Sequence, residues 1–359
     1  MGEQVKPRVL VSGEVLEELE EILALMEGAG YQILVSGPQP LLERLVVPDG
    51  MKIERAPARE AGYGNRAQKV LGLLQFLALV SRCKPDVLVS GYSMLKHRLA
   101  SQLLSVPHIA YYRGLMFDAS VRSGFSDSFE TNPVSRLIPQ RVRQPFGADQ
   151  ILTVSEINSR FLMARGIPAE RVSLCGPIWL RGLQQAAAGE SAGRIIICTS
   201  ALAAHGHDSL HELQTETLAR FVQEGAAGPR RVVLRVHPRD FYAYQDDPRF
   251  ASVEIDSRKP SDFLQSLCRE DVLVSPPSTL VHEAGALGVS SILYRVGEGL
   301  HSNESLAASG AEVFDLMEID AQRIESARPF SSFAPIETSM FSRALDSLVP
   351  SDLTRDGAQ

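Results

Sequence analysis

The feature that most constrains this chain is a rhythm: short apolar runs alternate with segments of helical spacing, and the pattern occurs twice. In the first half the apolar runs are RVLVS (8–12), YQILVSG (31–37), MKIERAP (51–57), PDVLVSG (85–91), PHIAYYRG (107–114), ADQILTVS (148–155) and RVSLCG (171–176). Between them, GEVLEELEEILALMEGAG follows the first run, a second helical segment covers about 68–82, and a third starts near Leu95. Val, Ile and Leu runs without polar alternation are strands buried on both faces, and helical crossovers make the sheet parallel. The expectation is a Rossmann-like α/β domain over residues 1–180.

A small, polar stretch, LQQAAAGESAG, then reads as part of a linker over 181–193. The rhythm resumes with RIIICTS (194–200), a helix near 208–223, RRVVLRVHP (230–238), ASVEID (251–256), a helix from Pro260, EDVLVSPP (270–277), a helix from Ser278, and SSILYR (290–295). This predicts a second Rossmann-like domain over 194–345, with a polar tail over 346–359. No sequence repeat links the halves convincingly. The fold class is therefore α/β, with two Rossmann-like domains facing a cleft, and ligands belong at the C-terminal ends of the strands. The segment 114–147 breaks the rhythm and is rich in Ser, Pro, Arg and Asp. Long irregular segments in compact domains tend to serve function.

Net charge bounds the partners. The chain carries 36 basic and 43 acidic residues, a formal charge of −7. A general nucleic-acid binder would carry a basic surplus, so no nucleic-acid partner is expected. The opening MGEQVKPRVLVSG has no signal-peptide core, and no run of about 18 apolar residues predicts a transmembrane segment. The expected location is cytoplasmic. VLGLLQFLALV (70–80) reads as a buried helix; the other reading is a peripheral contact at the inner face of a membrane. Cys83, Cys175, Cys198 and Cys268 lack metal-ligand spacing and read as reduced core residues. Neither half carries GxGxxG or GxxxxGK[ST], so no cofactor is expected.

The polar residues of the second half gather after strands. The first strand exits into Thr199, Ser200, His205, Gly206 and His207; the next into His237-Pro238 and Arg239; a later one into Ser275, Ser278, Thr279, His282 and Glu283. In a parallel sheet these exits share one edge. Pro276-Pro277 ends a strand, and Ser278 or Thr279 then starts a helix whose free N–H groups and dipole suit an anion. The plainer reading is ordinary N-capping. Pro238 stops its strand so that His237 can offer a donor to phosphate or shuttle a proton, unless it is a satisfied strand-end histidine. Arg239 suits either phosphate or the surface. Glu283 suits ribose hydroxyls or the helix dipole. The trio His205, His207 and His211 lacks supporting carboxylates or cysteines, so no metal site is expected; Asp208 reads as the cap of the next helix.

The pair formed by His237-Pro238 and Ser278-Thr279, the latter within PPSTLVHEAGALG, resembles motifs of bacterial glycosyltransferases of the GT-B fold. The groups it looks most like use cytidine-nucleotide donors: sialyltransferases, polysialyltransferases, capsule Kdo transferases and CDP-glycerol polymerases. The resemblance implies that His237, Ser278 and Thr279 contact the donor phosphate and that His205-Gly206 lies near the donor. Ser275-Pro276-Pro277-Ser278 replaces the serine run of some relatives, and the first half offers no matching motif. The activity implied by the resemblance is that of a metal-independent inverting transferase, moving a sialic-acid-like or Kdo sugar from its CMP conjugate to a surface-glycan or protein acceptor. Its general base would come from the first domain. Glu14, after the first strand, and Asp118, in the long segment, are the candidates; a helix-start acid and a plain loop residue are the alternatives. Arg113 could hold an acidic sugar or acceptor, or lie at the surface. Two rival functions share the layout: a non-hydrolysing UDP-N-acetylglucosamine 2-epimerase and a non-catalytic nucleotide-binding protein.

Overall fold

The computed structural model describes residues 6–28, 30–57, 66–91, 93–114, 146–181, 183, 193–225, 228–297 and 312–349. They fall into two compact units. One holds the residues up to Arg181 together with those from Ala334 onward; the other holds those between.

The first unit is built on seven parallel strands: β1 (Arg8–Ser12), β2 (Gln32–Gly37), β3 (Ile53–Pro57), β4 (Val87–Ser90), β5 (His108–Tyr112), β6 (Gln150–Thr153) and β7 (Val172–Leu174). Their order is β3-β2-β1-β4-β5-β6-β7. Val9, Leu10 and Val11 of β1 are wholly buried, as a strand covered on both faces must be. The crossovers are α1 (Leu16–Leu25), α2 (Gln39–Arg44), α3 (Arg66–Cys83), α4 (Leu95–Leu104) and α5 (Glu156–Ala164).

The second unit has six parallel strands: β8 (Arg194–Cys198), β9 (Arg231–Arg235), β10 (Glu254–Asp256), β11 (Val272–Ser275), β12 (Ser290–Arg295) and β13 (Val313–Asp315). Their order is β10-β9-β8-β11-β12-β13. Its described helices are α6 (Asp208–Gln223), α7 (Pro260–Gln265), α8 (Thr279–Ala286) and α9 (Ala321–Ser326). Ile195, Ile197, Phe221, Tyr244 and Val274 form the heart of its core.

The two sheets share a strand order, and they share a latch. At the start of β1, the Arg8 N–H donates to Asp86 before β4 at 2.7 Å. At the start of β8, the Arg194 N–H donates to Asp271 before β11 at 2.8 Å, and its guanidinium closes on the same carboxylate. Both aspartates open the pentapeptide DVLVS, at 86–90 and 271–275. The halves thus repeat a topology and one interaction that overall sequence similarity does not reveal.

Three features depart from the sequence expectation. The last helix, α10 (Ser339–Leu348), belongs to the first unit, although composition ran the second domain to residue 345. Ala334 N–H donates to the Val154 carbonyl at 2.9 Å, and Tyr31 Oη to Asp346 at 2.6 Å. Helix α3 is only partly buried: Val70, Leu71 and Leu74 are exposed while Phe76, Leu79 and Val80 are inside. No described helix is long and apolar enough to cross a membrane. Of the cysteines, Cys175 and Cys198 are buried, but Cys83 and Cys268 are only partly so.

Candidate functional site

In each sheet the chain reverses direction of travel between two neighbouring strands: β1 and β4 in the first, β8 and β11 in the second. The crevice at the C-terminal ends of such strands is where open α/β sheets bind ligands.

In the second unit, β8 exits through Thr199 and Ser200. Gln214 of α6, itself buried, clamps Ser200 from both sides: its Oε1 accepts from the Ser200 N–H at 2.9 Å, and its Nε2 donates to the Ser200 carbonyl at 3.3 Å. Thr199 Oγ1 accepts the backbone N–H of His237 at 3.0 Å, which ties the exits of β8 and β9. The chain then makes a short turn over Ala203–His205 and leaves through Gly206 at φ 78°, a left-handed conformation that only glycine adopts without strain. The His205 side chain lies outside the described residues. Asp208 is the first helical residue rather than the cap; His207 holds the cap position without a side-chain bond.

His237 is exposed at the exit of β9, with Pro238 and Arg239 beside it. The Arg239 N–H donates to its Nδ1 at 3.1 Å. An accepting Nδ1 puts the proton of the neutral ring on Nε2, which is therefore the nitrogen able to donate. Asp240 closes this turn: its N–H donates to the His237 carbonyl at 2.8 Å, and its carboxylate accepts from Tyr244 Oη at 3.0 Å.

After β11, Ser275 Oγ donates to the Pro276 carbonyl at 2.8 Å and lies 3.4 Å from Ser278 Oγ. Ser278 holds the N-cap position of α8, but its hydroxyl accepts no helix N–H. The N–H groups of Thr279 and Leu280 meet no acceptor among the described residues. Nor does the first turn carry an acid. Of the two sequence readings, ordinary capping does not occur; the helix start keeps its donors and its positive dipole end. Glu283 lies one turn on and is half-buried. His282, read from sequence as part of the same rim, is buried instead. Its Nδ1 accepts the Ser332 N–H at 3.0 Å, its ring packs on Phe330 and Phe333, and burial pushes it down to about 4.

The first unit's crevice is acidic. Glu14 follows β1 and is tied to Lys96 of α4 at 2.7 Å, with both side chains largely shielded. Glu18, in the first turn of α1, is 3% exposed. Its carboxyl rests on Gly91, just past β4: a Cβ at position 91 would stand 2.1 Å from Glu18 Oε2. Burial pushes this carboxyl up from its ordinary 4.5 to about 8, the Arg113 charge opposing and the nearby glutamates assisting. Arg113 is held by Glu21 at 2.7 Å and lies over the Trp179 ring at 5.1 Å. Asp118 lies outside the described residues, as does most of the segment 114–147. Sequence reasoning missed Glu18, because within LEELEE it looks like any solvated helix acid; the glycine directly after β4 was the available clue.

Among the described residues, no three His, Cys, Asp or Glu side chains gather as a metal could require. No family model matches this chain, and no curated protein is similar to it. Solved structures are. The UDP-GlcNAc 2-epimerase from Methanocaldococcus jannaschii superimposes with a TM-score of 0.58 at 12% identity, over 95% of this chain and 99% of that one. The UDP-N-acetylglucosamine 2-epimerase from Rickettsia bellii gives 0.57 at 14%, over 98% of both chains. The glycotransferase of kitacinnamycin gives 0.58 at 15%, over 96% and 100%. At such identities the likeness is one of fold: this chain has the two-Rossmann-domain GT-B architecture.

Proposed function

We propose that this chain is a nucleotide-sugar enzyme that holds the donor's phosphates in its second unit and transfers the sugar with inversion. The observation that carries the proposal is the start of α8, where Ser278 leaves the helix N–H groups uncapped beside its own hydroxyl and that of Thr279. His237, whose Nδ1 accepts from the Arg239 N–H and whose neutral ring therefore carries its proton on Nε2, adds a donor on the same edge of the sheet. Such donors stabilise charge that develops on a leaving phosphate without calling on a metal. Arg239 is a further cation for phosphate, and Glu283 an acceptor for ribose hydroxyls. The first unit takes the acceptor, a surface glycan or a protein, with Glu14 or Asp118 as candidate base and Arg113 as a candidate contact for an acidic sugar.

The motif resemblance favours a CMP-linked sialic-acid-like or Kdo sugar. A second reading is 2-epimerisation of UDP-N-acetylglucosamine. It is favoured by the names of two similar structures and by the carboxyls of Glu14 and Glu18 at the first unit's crevice. Thermal shifts with CMP, CDP, UMP, UDP and GDP test both. Stabilisation by cytidine nucleotides supports transfer from a CMP-sugar. Stabilisation by uridine nucleotides calls for an assay of UDP-GlcNAc conversion to its ManNAc epimer. No response to any nucleotide would leave a non-catalytic protein on this fold and sink both enzyme readings.

A further inference from the structure

Glu18 has an unusual position for a carboxyl. It is 3% exposed, and no described residue gives it an ion pair or a hydrogen bond. The cation that acts on it, Arg113, is paired with Glu21 at 2.7 Å. A shielded acid with no ion pair of its own costs stability, and a leucine would fill the same space without that cost. Acids so placed persist where chemistry uses their proton. The place fits as well. The carboxyl lies over Gly91 at the reversal between β1 and β4, where a side chain of any size on residue 91 would displace it.

We infer that Glu18, in place of the sequence candidates Glu14 and Asp118, is a catalytic residue that takes the proton of the acceptor hydroxyl in the first unit's crevice. The inference rests on the proposed function. As the acceptor oxygen attacks the donor's anomeric carbon, the new C–O bond uses the hydroxyl's electron pair. The bond from that carbon to the phosphate oxygen breaks, and its pair leaves with the nucleotide. The hydroxyl proton passes to Glu18 and then to water. Burial makes the ionised carboxyl a stronger base than an exposed one. The groups that face it are Glu14 and Glu17 beside it, Glu21 one turn on, and Arg113 from the exit of β5. All but Arg113 work against its ionisation, so the active fraction grows as pH rises through about 8.

The test compares wild type with Glu18→Gln as full chains. Thermal shifts with CMP, CDP, UMP and UDP come first, and equal shifts in both proteins are expected because the donor site is in the other unit. Nucleotide release from CMP- and UDP-sugars by transfer to water is then followed from pH 6 to 9.5. The wild-type rate should climb about tenfold per pH unit and level off above about 8. The variant should lose about 10²–10⁴-fold and lose that rise. A variant that binds nucleotide and keeps both rate and profile overturns the assignment. No shift in either protein overturns the proposed function, and the role of Glu18 with it. If wild type binds nucleotide but releases none, a hydrophobic carbodiimide, which attacks protonated carboxyls, decides. A Glu18 adduct that forms at pH 6, fades by pH 9 and is slowed by a nucleotide sugar supports the inference; an unlabelled Glu18 beside labelled surface acids refutes it.

Discussion

Replacing Glu18 by glutamine should stabilise this protein, and do so only where the pH is high enough to ionise the acid in the unfolded chain. The folded carboxyl holds its proton up to about 8, while the ordinary value is 4.5. A raised folded value gives stability that is fully present below 4.5 and lost as pH rises toward 8. The interval from 4.5 to about 8, at about 1.4 kcal/mol per pH unit, amounts to about 5 kcal/mol. Water reaching the ionised carboxyl would reduce that ceiling, and about half of it is still easily measured. Glutamine has nearly the same shape and no such titration, and the packing on Gly91 survives the change. Urea melts of both proteins at pH 4, 5, 7 and 9 should show near-equal stability at pH 4 and a lead of about 1 kcal/mol for the variant at pH 5. The variant should lead by about 3 kcal/mol at pH 7 and by about 4–5 kcal/mol at pH 9. Parallel pH dependence in the two proteins would mean that Glu18 ionises freely when folded. The case for its proton-transfer role would then fall.

Other substitutions probe other parts of the molecule. His237→Ala should weaken nucleotide binding about tenfold or more, the worth of one charge-assisted hydrogen bond of about 1.5–3 kcal/mol; calorimetric titration measures it, and unchanged affinity removes His237 from the site. Gly285→Ala, on the buried side of α8, would bring a Cβ within 1.8 Å of the Phe330 carbonyl oxygen. Backbone must move there, so a loss of about 1–3 kcal/mol is expected in denaturant melts. Wild type should lose stability as pH falls from 6.5 toward 4, since His282 is held neutral when folded and charges when unfolded. The loss approaches about 3 kcal/mol, and His282→Gln should remove it from acid titrations followed by circular dichroism.

Strands were legible because their signal is local. Runs such as RIIIC and DVLVS can only be buried on both faces, and each appears within a residue or so of its predicted place. Three of the four edge strands, β3, β7 and β10, also lie within runs read as strands; β13 was not legible, because it has three half-buried residues, too few for a pattern. The exit positions of Thr199, His237 and Ser278 followed from the strand ends alone. Which side chains face the crevice did not follow. His282 and Glu18 both sit on amphipathic helices, where sequence spacing cannot tell a buried polar group from a solvated one. Their burial depends on segments distant in the chain, 330–333 for His282 and Gly91 for Glu18. The return of α10 to the first unit was hidden for the same reason, because its Asp346 accepts from Tyr31, 315 residues away in the chain.

Two units with one topology need not do one job, and their crevices differ in charge. In the first, α1 carries the exposed carboxylate of Glu17 in its opening turn, so its dipole is already met by its own side chain, and the buried carboxyl of Glu18 stands beside it. An incoming phosphate would find carboxyl groups there instead of free N–H groups. In the second, α8 opens on Ser278 and Thr279 with no acid in its first turn. Moving an acid to that place should therefore convert one kind of crevice into the other. Thr279→Glu would set a carboxylate at the first helical residue, where the dipole favours it and where the donor's phosphates are assigned. Folding stability should stay level or rise by a few tenths of a kcal/mol, as an acid at a helix start usually brings. Nucleotide-induced thermal shifts should vanish. A Thr279→Glu protein that still binds nucleotide would mean that the phosphates lie elsewhere, and the uncapped start of α8 would need another explanation.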